Sequence, residues 1–486
     1  MLKTLIYATI FLFVSQAYSQ GQIKQIDYGK LLFNSYPTYD MVVDLGEGKF
    51  VMPIVTLKKQ ALLDCYSYDL QKIYSTPFRQ SINSKKDKFA LITSFHENSK
   101  TLYALRQDNS NNKYFIEYLK IDPKSGKTID QEILLKDQQF PNAYYFSDNK
   151  EYFVVIPLIS LNGLYEYELF NYKGEKLYTS IIENKEAQSF SGLLNVMTVS
   201  DHGDVYVERR LDEGHYSFDA FDVSGKEIVR LPLKIESKNG EVVDLIMTKS
   251  GDREIIVTAL LGDKKNFELK NWVIDFKKQE LQLISSFDIN EEIIGKYMAS
   301  LDKAQIVSVK TPKPTNNFKD LSIVKIHYVE GQIIAVLESY EYTRGMLGTT
   351  SAWGTSNDTY IISTKLNGDL NWVFALPRKV AQSLSKYKLF GPMGETVKVK
   401  TDVIDGVLKV ITTENYSNGN YGYEVLREID LSTGEVSFPK RLQNKENAVF
   451  DFSFYDYYKW ISTDEIIMMT AKGFGFKLVK INTKNK

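Results

Sequence analysis

Cysteine is nearly absent from this chain: Cys65 is the only one in 486 residues. A single cysteine cannot close an internal disulfide, so packing and sheet hydrogen bonds must hold the fold. In the strand-like stretch ALLDCYSYDL it reads as a small buried hydrophobe rather than a reactive thiol. Proline is scarce too, at 12 residues, whereas Tyr and Phe number 32 and 27, a balance that favours strands. Charge of one sign is missing: 60 Lys and Arg face 61 Asp and Glu. With no basic excess to neutralise phosphates, nucleic acid is excluded as an expected partner. Beyond the first residues no apolar run approaches the ~20 residues of a spanning helix, so no membrane span is expected.

Motifs that carry chemistry are also lacking. The four histidines (His96, His202, His215 and His327) form no H-x-x-x-H or H-E-x-x-H pair, and there is no G-x-S-x-G elbow or phosphate-binding loop. The stretches DPKSGKTID and DNSNNK are oxygen-rich but lack the ligand order of a calcium loop. Asp201, His202 and Asp204 in SDHGDVYV read as a polar turn. No metal or cofactor is expected, and these absences weigh against catalysis. Paired carboxylates of a glycan-cleaving site would escape a search by spacing, because they would come from separate parts of the chain.

What is present begins with MLKTLIYATIFLFVSQAYSQ. It has an early Lys3, an apolar run from Leu5 to Val14, and small residues at Ala17 and Ser19, the pattern of a cleaved export signal over residues 1–20. No Cys follows the run, so a lipid anchor is not expected. Export to the periplasm, the cell surface or the medium follows, with residues 21–486 as one domain.

Hairpins then recur. YSFDAFDVSGKEIVRLPL has a strand, a polar turn and a second strand, and so do EYLKIDPKSGKTIDQEILL, YELFNYKGEKLYTSII, YIISTKLNGDLNWVFALP and VLREIDLSTGEVSFPKRL. Gly and Asn in the turns supply the positive φ that tight hairpins need. Turn centres near residues 69, 124, 173, 224 and 276 lie about fifty residues apart, and two further strands precede each hairpin. Four short strands per fifty residues is the signature of propeller blades. Units run over about 39–78, 83–135, 142–182, 193–235, 242–289, 321–377 and 387–442. The last unit has only three strands before Lys486, and the strand Gln25–Asn34 has no unit of its own. Pairing the two closes the ring and removes an open sheet edge. The expectation is an all-β propeller of eight four-stranded blades, with seven blades or two separate sheet domains as rivals.

One interval, from 276 to 367, is about forty residues too long. The excess lies at about 290–320 and 342–358. Asn290–Val307 has helical apolar spacing, with Asn290 as a plausible N-cap. Tyr342–Asp358 is rich in Gly, Ser and Thr and reads as a long loop. With strands labelled a to d from the axis outward, these insertions, Arg378–Lys388 and Thr413–Gly422 are all d–a or b–c connections. They should therefore meet on one face over blades six and seven. Candidate ligand-binding residues there are Tyr342, Arg344, Trp353, Tyr416, Asn420 and Tyr421, whose rings suit a sugar or a protein partner. Trp353 is the expected anchor.

Within this region, GQIIAVLESYEYTRG and NDTYIISTKLNGDLNWVFALPRKVAQS (Gly331–Ser383) resemble a segment of secreted propeller-like proteins of Bacteroidota. The resemblance covers about 50 residues, implies an exported propeller, and transfers no catalytic residue. The composite expectation is a monomeric, exported binding or scaffold module for a protein or carbohydrate ligand. A glycan-acting hydrolase or lyase on the same scaffold is the alternative.

Overall fold

The recurring hairpins condense into eight antiparallel sheets. The computed structural model describes residues 23–28, 42–55, 61–79, 89–110, 113–136, 143–159, 164–183, 197–212, 214–236, 240–263, 266–290, 292–293, 321–344, 352–376, 378, 380–383, 399–415, 422–437, 439–442, 452–472 and 475–484. Blades I to VII are meanders in chain order over 43–79, 89–136, 143–183, 197–234, 241–289, 321–376 and 400–441. Blade VIII is composite: Phe452–Ser462, Glu465–Lys472 and Gly475–Asn482 supply strands a to c, and Ile23–Tyr28 adds strand d. The closing register runs from Ile23 opposite Ile481 to Tyr28 opposite Phe476. The closure matches expectation, with the strand placed slightly earlier than Gln25–Asn34.

Burial explains why the hairpin repeat is so legible. Strands b and c are covered on both faces by neighbouring blades, so they read as apolar runs; Ile255 to Leu261 in Glu254–Gly262 are buried without a break. Strand d faces solvent and alternates, as in Glu227–Lys234. The core consists of layers between blades. Val43, Val51 and Leu63 of blade I meet Phe95, Leu102 and Leu119 of blade II. Ile411 and Leu426 of blade VII meet Ile466, Met468 and Ile481 of blade VIII. Strand a of one blade lies against strand a of the next along much of the ring, which makes these strands the channel wall. Cys65 is buried in one layer, and that burial pushes its thiol up to about 11, so it stays a packed, protonated hydrophobe.

In four blades the c–d turn locks onto the neighbouring blade. Asp222 Oδ1 accepts from Ser224 N at 2.9 Å and Lys226 N at 3.0 Å, and Gly225 takes φ 83°. A Cβ on Gly225 would lie 2.7 Å from the ring of Tyr178, on strand d of blade III. The same seating recurs for Gly126 on Tyr74, Gly174 on Tyr118 and Gly434 on Trp372. The a–b and c–d turns share one end of the ring, and the b–c and d–a connections share the other.

One expectation is corrected and one lies outside the described residues. Of the helix expected over Asn290–Val307, only Asn290, Glu292 and Ile293 are described. Asn290 Oδ1 does accept from Ile293 N at 2.9 Å, the bond expected of an N-cap, but residues 294–320 lie outside the described residues. The stretch 342–358 is largely not a loop: strand b of blade VI runs to Arg344 and strand c begins at Ala352. Pairing on both sides of strand c outweighs its Gly and Ser content.

Candidate functional site

At the b–c end, strands b (Gln332–Arg344) and c (Ala352–Lys365) of blade VI extend as a hairpin, with Tyr342 opposite Gly354 and Arg344 opposite Ala352. Trp353 lies in strand c, not in a loop, opposite Thr343 on one side and Ser383 on the other. The added strand Val380–Ser383 comes from the d–a connection, so two of the expected insertions are joined in one sheet. Tyr416, Asn420 and Tyr421 lie outside the described residues.

Below this hairpin is a desolvated polar network. Arg378 pairs with Glu338, and both are buried. Arg378 Nε donates to Thr359 Oγ1 at 2.9 Å, its backbone N to Asp358 Oδ1 at 3.1 Å, and its Nη1 to Thr413 O of blade VII at 3.1 Å. Lys400 and Glu424, both buried, pair at 3.1 Å. A buried pair with so many further bonds fixes geometry more than it adds stability. Arg378 thus ties the base of the hairpin to blade VII, bringing together the described parts of three expected segments.

The opposite end holds a cavity that no local motif announced. Its volume is about 500 Å³, and blades I, II, III and VIII line it with the ends of their strands a and their a–b turns. Asp44, Glu97 and Asp148 each come from a different blade. Asp44 Oδ1 accepts from Gly46 N and from the Tyr68 hydroxyl, both at 2.8 Å. Burial, reinforced by the Asp44 charge, pushes the Tyr68 pKa up, so Tyr68 remains a protonated donor. Asp148 Oδ2 meets Lys249 Nζ of blade V at 2.6 Å. Lys150 Nζ stands over the Phe146 ring at 5.7 Å, and Lys459 enters from blade VIII. Thr93, 5% exposed, has a hydroxyl with no hydrogen-bond partner among the described residues. A periodic signal for this rim does exist: Glu97, Asp148, Asp201 and Asp252 recur about every fifty residues, at the a–b turns. Turn chemistry hid it, because Asp and Asn in a turn need no other explanation.

Other titratable groups lie outside the lining of this cavity. Glu208 is fully buried; burial, and secondarily the Asp244 charge, push its carboxyl up to about 7 against the Arg210 bond at 2.8 Å. His327 is held down to about 3 by burial and the Lys325 charge, and its Nε2 lies 2.9 Å from Thr401 Oγ1. His96 is buried and stacks on Tyr172 at 4.1 Å. Asp201, His202 and Asp204 form the a–b turn of blade IV as read, with Ser200 N donating to Asp204 O at 2.8 Å. No group of three or more His, Cys, Asp or Glu suited to a metal occurs among the described residues. Among them, too, no helix is long and apolar enough to cross a membrane.

No family model matches the chain, and no curated protein does. The likeness of Gly331–Ser383 to secreted Bacteroidota proteins therefore stands on its residues alone, while the propeller it implied is present. Similar solved structures include a polysaccharide lyase, ulvan lyase PL25, at 11% identity and TM-score 0.45, over 95% of this chain and 96% of that one. The Dos1 propeller is similar at 12% identity and TM-score 0.44, over 93% and 95%. Prolyl oligopeptidase B from Galerina marginata is similar at 10% identity and TM-score 0.43; the match takes 95% of this chain but only 57% of that one. Such likeness describes the fold and carries no residue or substrate across. The expectation against catalysis is corrected: the similar structures include a polysaccharide lyase and a prolyl oligopeptidase beside the Dos1 propeller.

Proposed function

We propose that the protein is an exported glycan-acting enzyme, a hydrolase or lyase, working at the channel cavity. The observation that carries this reading is the convergence of Asp44, Glu97 and Asp148 from three blades on one cavity. Cleaving a glycosidic link needs a proton donor and a proton acceptor beside the bond, and carboxyl groups from neighbouring blades around one cavity supply them. The volume falls within the range of ligand pockets, and amides, hydroxyls and the apolar Ile92 and Phe95 share its lining, as a sugar's polar rim and apolar face require. Asp44 is held by two donors; Glu97 stands exposed on a rim turn, free to approach a substrate.

The test is incubation of the purified protein with a panel of polysaccharides, following new reducing ends for hydrolysis and the ultraviolet absorbance of unsaturated uronic acid for elimination. Asp44→Asn and Glu97→Gln should each lower turnover by roughly a hundredfold or more. Turnover untouched by both would remove the cavity as the site; binding without any turnover would remove the enzyme.

A second reading concerns the other end. The Arg378 network anchors the hairpin carrying Tyr342, Arg344 and Trp353, and this favours a contact surface there; the other candidates, Tyr416, Asn420 and Tyr421, lie outside the described residues. Trp353→Ala should then weaken binding of a protein or carbohydrate ligand and leave folding unchanged. Unchanged affinity would remove Trp353 as anchor.

A further inference from the structure

We propose that Tyr68 is a positioning residue of the channel cavity: its hydroxyl holds Asp44 Oδ1 and so presents Oδ2 to the cavity as the proton acceptor. The inference rests on the reading of the cavity as a glycan site and says which group there is the base.

The hydrogen bonds carry the inference. Asp44 lies in strand a of blade I (Val43–Gly46) and lines the cavity. Gly46 N and the Tyr68 hydroxyl both donate to Oδ1, at 2.8 Å each, and neither bonds Oδ2. The Gly46 bond alone is enough to close the turn that follows the strand. The second donor comes from the c–d turn of the same blade, between Ala61–Ser67 and Lys72–Arg79. Tyr68 is fixed there: its backbone N donates to Gly48 O at 2.7 Å, and its ring packs against the layer that holds Phe50 and Met52. A phenylalanine would pack the same ring. The hydroxyl adds one bond among the described residues, and that bond goes to Asp44. Tyr68 is not in the cavity lining, so it acts through Asp44 and not on a ligand.

Two donors on one oxygen favour the charged carboxylate and keep it from turning, which leaves the other oxygen to receive a proton. Burial keeps the Tyr68 hydroxyl protonated, so it stays a donor. In hydrolysis Oδ2 takes its proton from water as the water oxygen bonds to the anomeric carbon. The bond from that carbon to the glycosidic oxygen breaks, and this oxygen leaves with the electron pair and takes a proton from Glu97. In elimination Oδ2 takes the proton from the carbon beside a uronate carboxylate. The electron pair left there forms the double bond as the glycosidic oxygen departs, again protonated by Glu97. Tyr68 exchanges no proton in either course.

The test compares wild type, Tyr68→Phe, Asp44→Asn and the double variant. The probes are neutral chains of glucose, mannose and galactose and chains of uronic acids, and kcat, KM and the pH profile are read on the chain that wild type cleaves. Tyr68→Phe should lower kcat about tenfold or more, with KM within about twofold of wild type. The acid limb of its pH profile should move to higher pH, because a donor that favours the charged carboxylate is gone. In the Asp44→Asn background the same change should cost no further activity. Replacing Tyr68 by fluorotyrosine, a stronger donor of nearly the same shape, should move the acid limb to lower pH; this variant decides should Tyr68→Phe fail to fold. A wild-type kcat and pH profile for Tyr68→Phe, or an equal loss with and without Asp44, would overturn the role of Tyr68 and leave the glycan reading intact. No cleavage of any chain by wild type would remove both.

Discussion

Replacing Gly434 by alanine isolates what holds one blade to the next. Gly434 takes φ 73°, and an added Cβ would lie 2.6 Å from Trp372 Cβ and 2.7 Å from Cγ. The indole cannot withdraw freely: it is buried, and its Nε1 donates to Leu431 O at 2.9 Å. The left-handed backbone costs an alanine about 1–2 kcal/mol, and forcing a methyl into a filled contact costs about 1–3 kcal/mol more. Gly406→Ala is the control, because Gly406 has φ 74° and nothing within 4 Å of the added Cβ. Urea unfolding of the two variants should show Gly434→Ala less stable than Gly406→Ala by about 1–3 kcal/mol, the packing share alone. Trp372→Ala, which removes Cγ and the ring but keeps Cβ, should relieve part of that excess in a double-mutant cycle. Equal losses for the two alanines would refute the turn-to-aromatic seating as an interblade lock.

Three further outcomes follow from the same geometry. Deleting residues 23–28 removes the pairing from Ile23 to Tyr28 and leaves Gly475–Asn482 as an open edge, so the variant should associate; light scattering unchanged from the parent would speak against closure. The Glu208 carboxyl is raised from 4.5 to about 7, so its protonated form favours the fold, and wild-type stability relative to Glu208→Gln should be greatest below pH 4.5 and fall by about 3 kcal/mol as pH rises through 7. A gap between the two proteins that ignores pH would contradict it. His327 is depressed from 6.5 to about 3, so its neutral form supports the fold above pH 6.5 and that support drains as pH falls toward 3; His327→Gln should lose about 3 kcal/mol less than wild type by pH 4 in chemical denaturation.

The blade count was legible because the c–d turn repeats a local physical solution: a side chain that caps its own turn and a glycine pressed against an aromatic ring. Both leave residues at fixed positions, as in DVSG at Asp222 and DLSTG at Asp430. The closing strand was legible by counting, since an unpaired strand at one terminus matched a missing one at the other. The extended hairpin of blade VI was not, because Gly354, Thr355 and Ser356 give no strand signal alone and are held by Gln382, Ala381 and Val380 across a pairing no local pattern foretells. The cavity was hidden for a related reason. Each of the four blades contributes only one to six residues to it, and Glu97 and Asp148 sit in turns where they look merely structural.

If the cavity is the site, its integrity should depend on the seams that bound it and not on seams elsewhere. Ile466 and Ile467 are adjacent in strand b of blade VIII, yet they face opposite ways: Ile466 packs in the layer with blade VII, and Ile467 in the layer with Val42, Phe50 and Met52 of blade I. Val42 also lines the cavity, and Lys459 enters it from the same blade as Ile467. Ile467→Ala should cost about 2–4 kcal/mol, since the side chain is fully buried, and should also loosen the seam between blades VIII and I at which Lys459 and Val42 line the cavity. Ile334→Ala, equally buried in the layer between blades VI and VII, should cost a similar amount of stability far from the cavity. Ligand affinity measured well below each variant's unfolding temperature separates the two effects. A fall with Ile467→Ala and none with Ile334→Ala places binding in the channel beside blades VIII and I. A fall with Ile334→Ala alone would move the site to the hairpin over blades VI and VII.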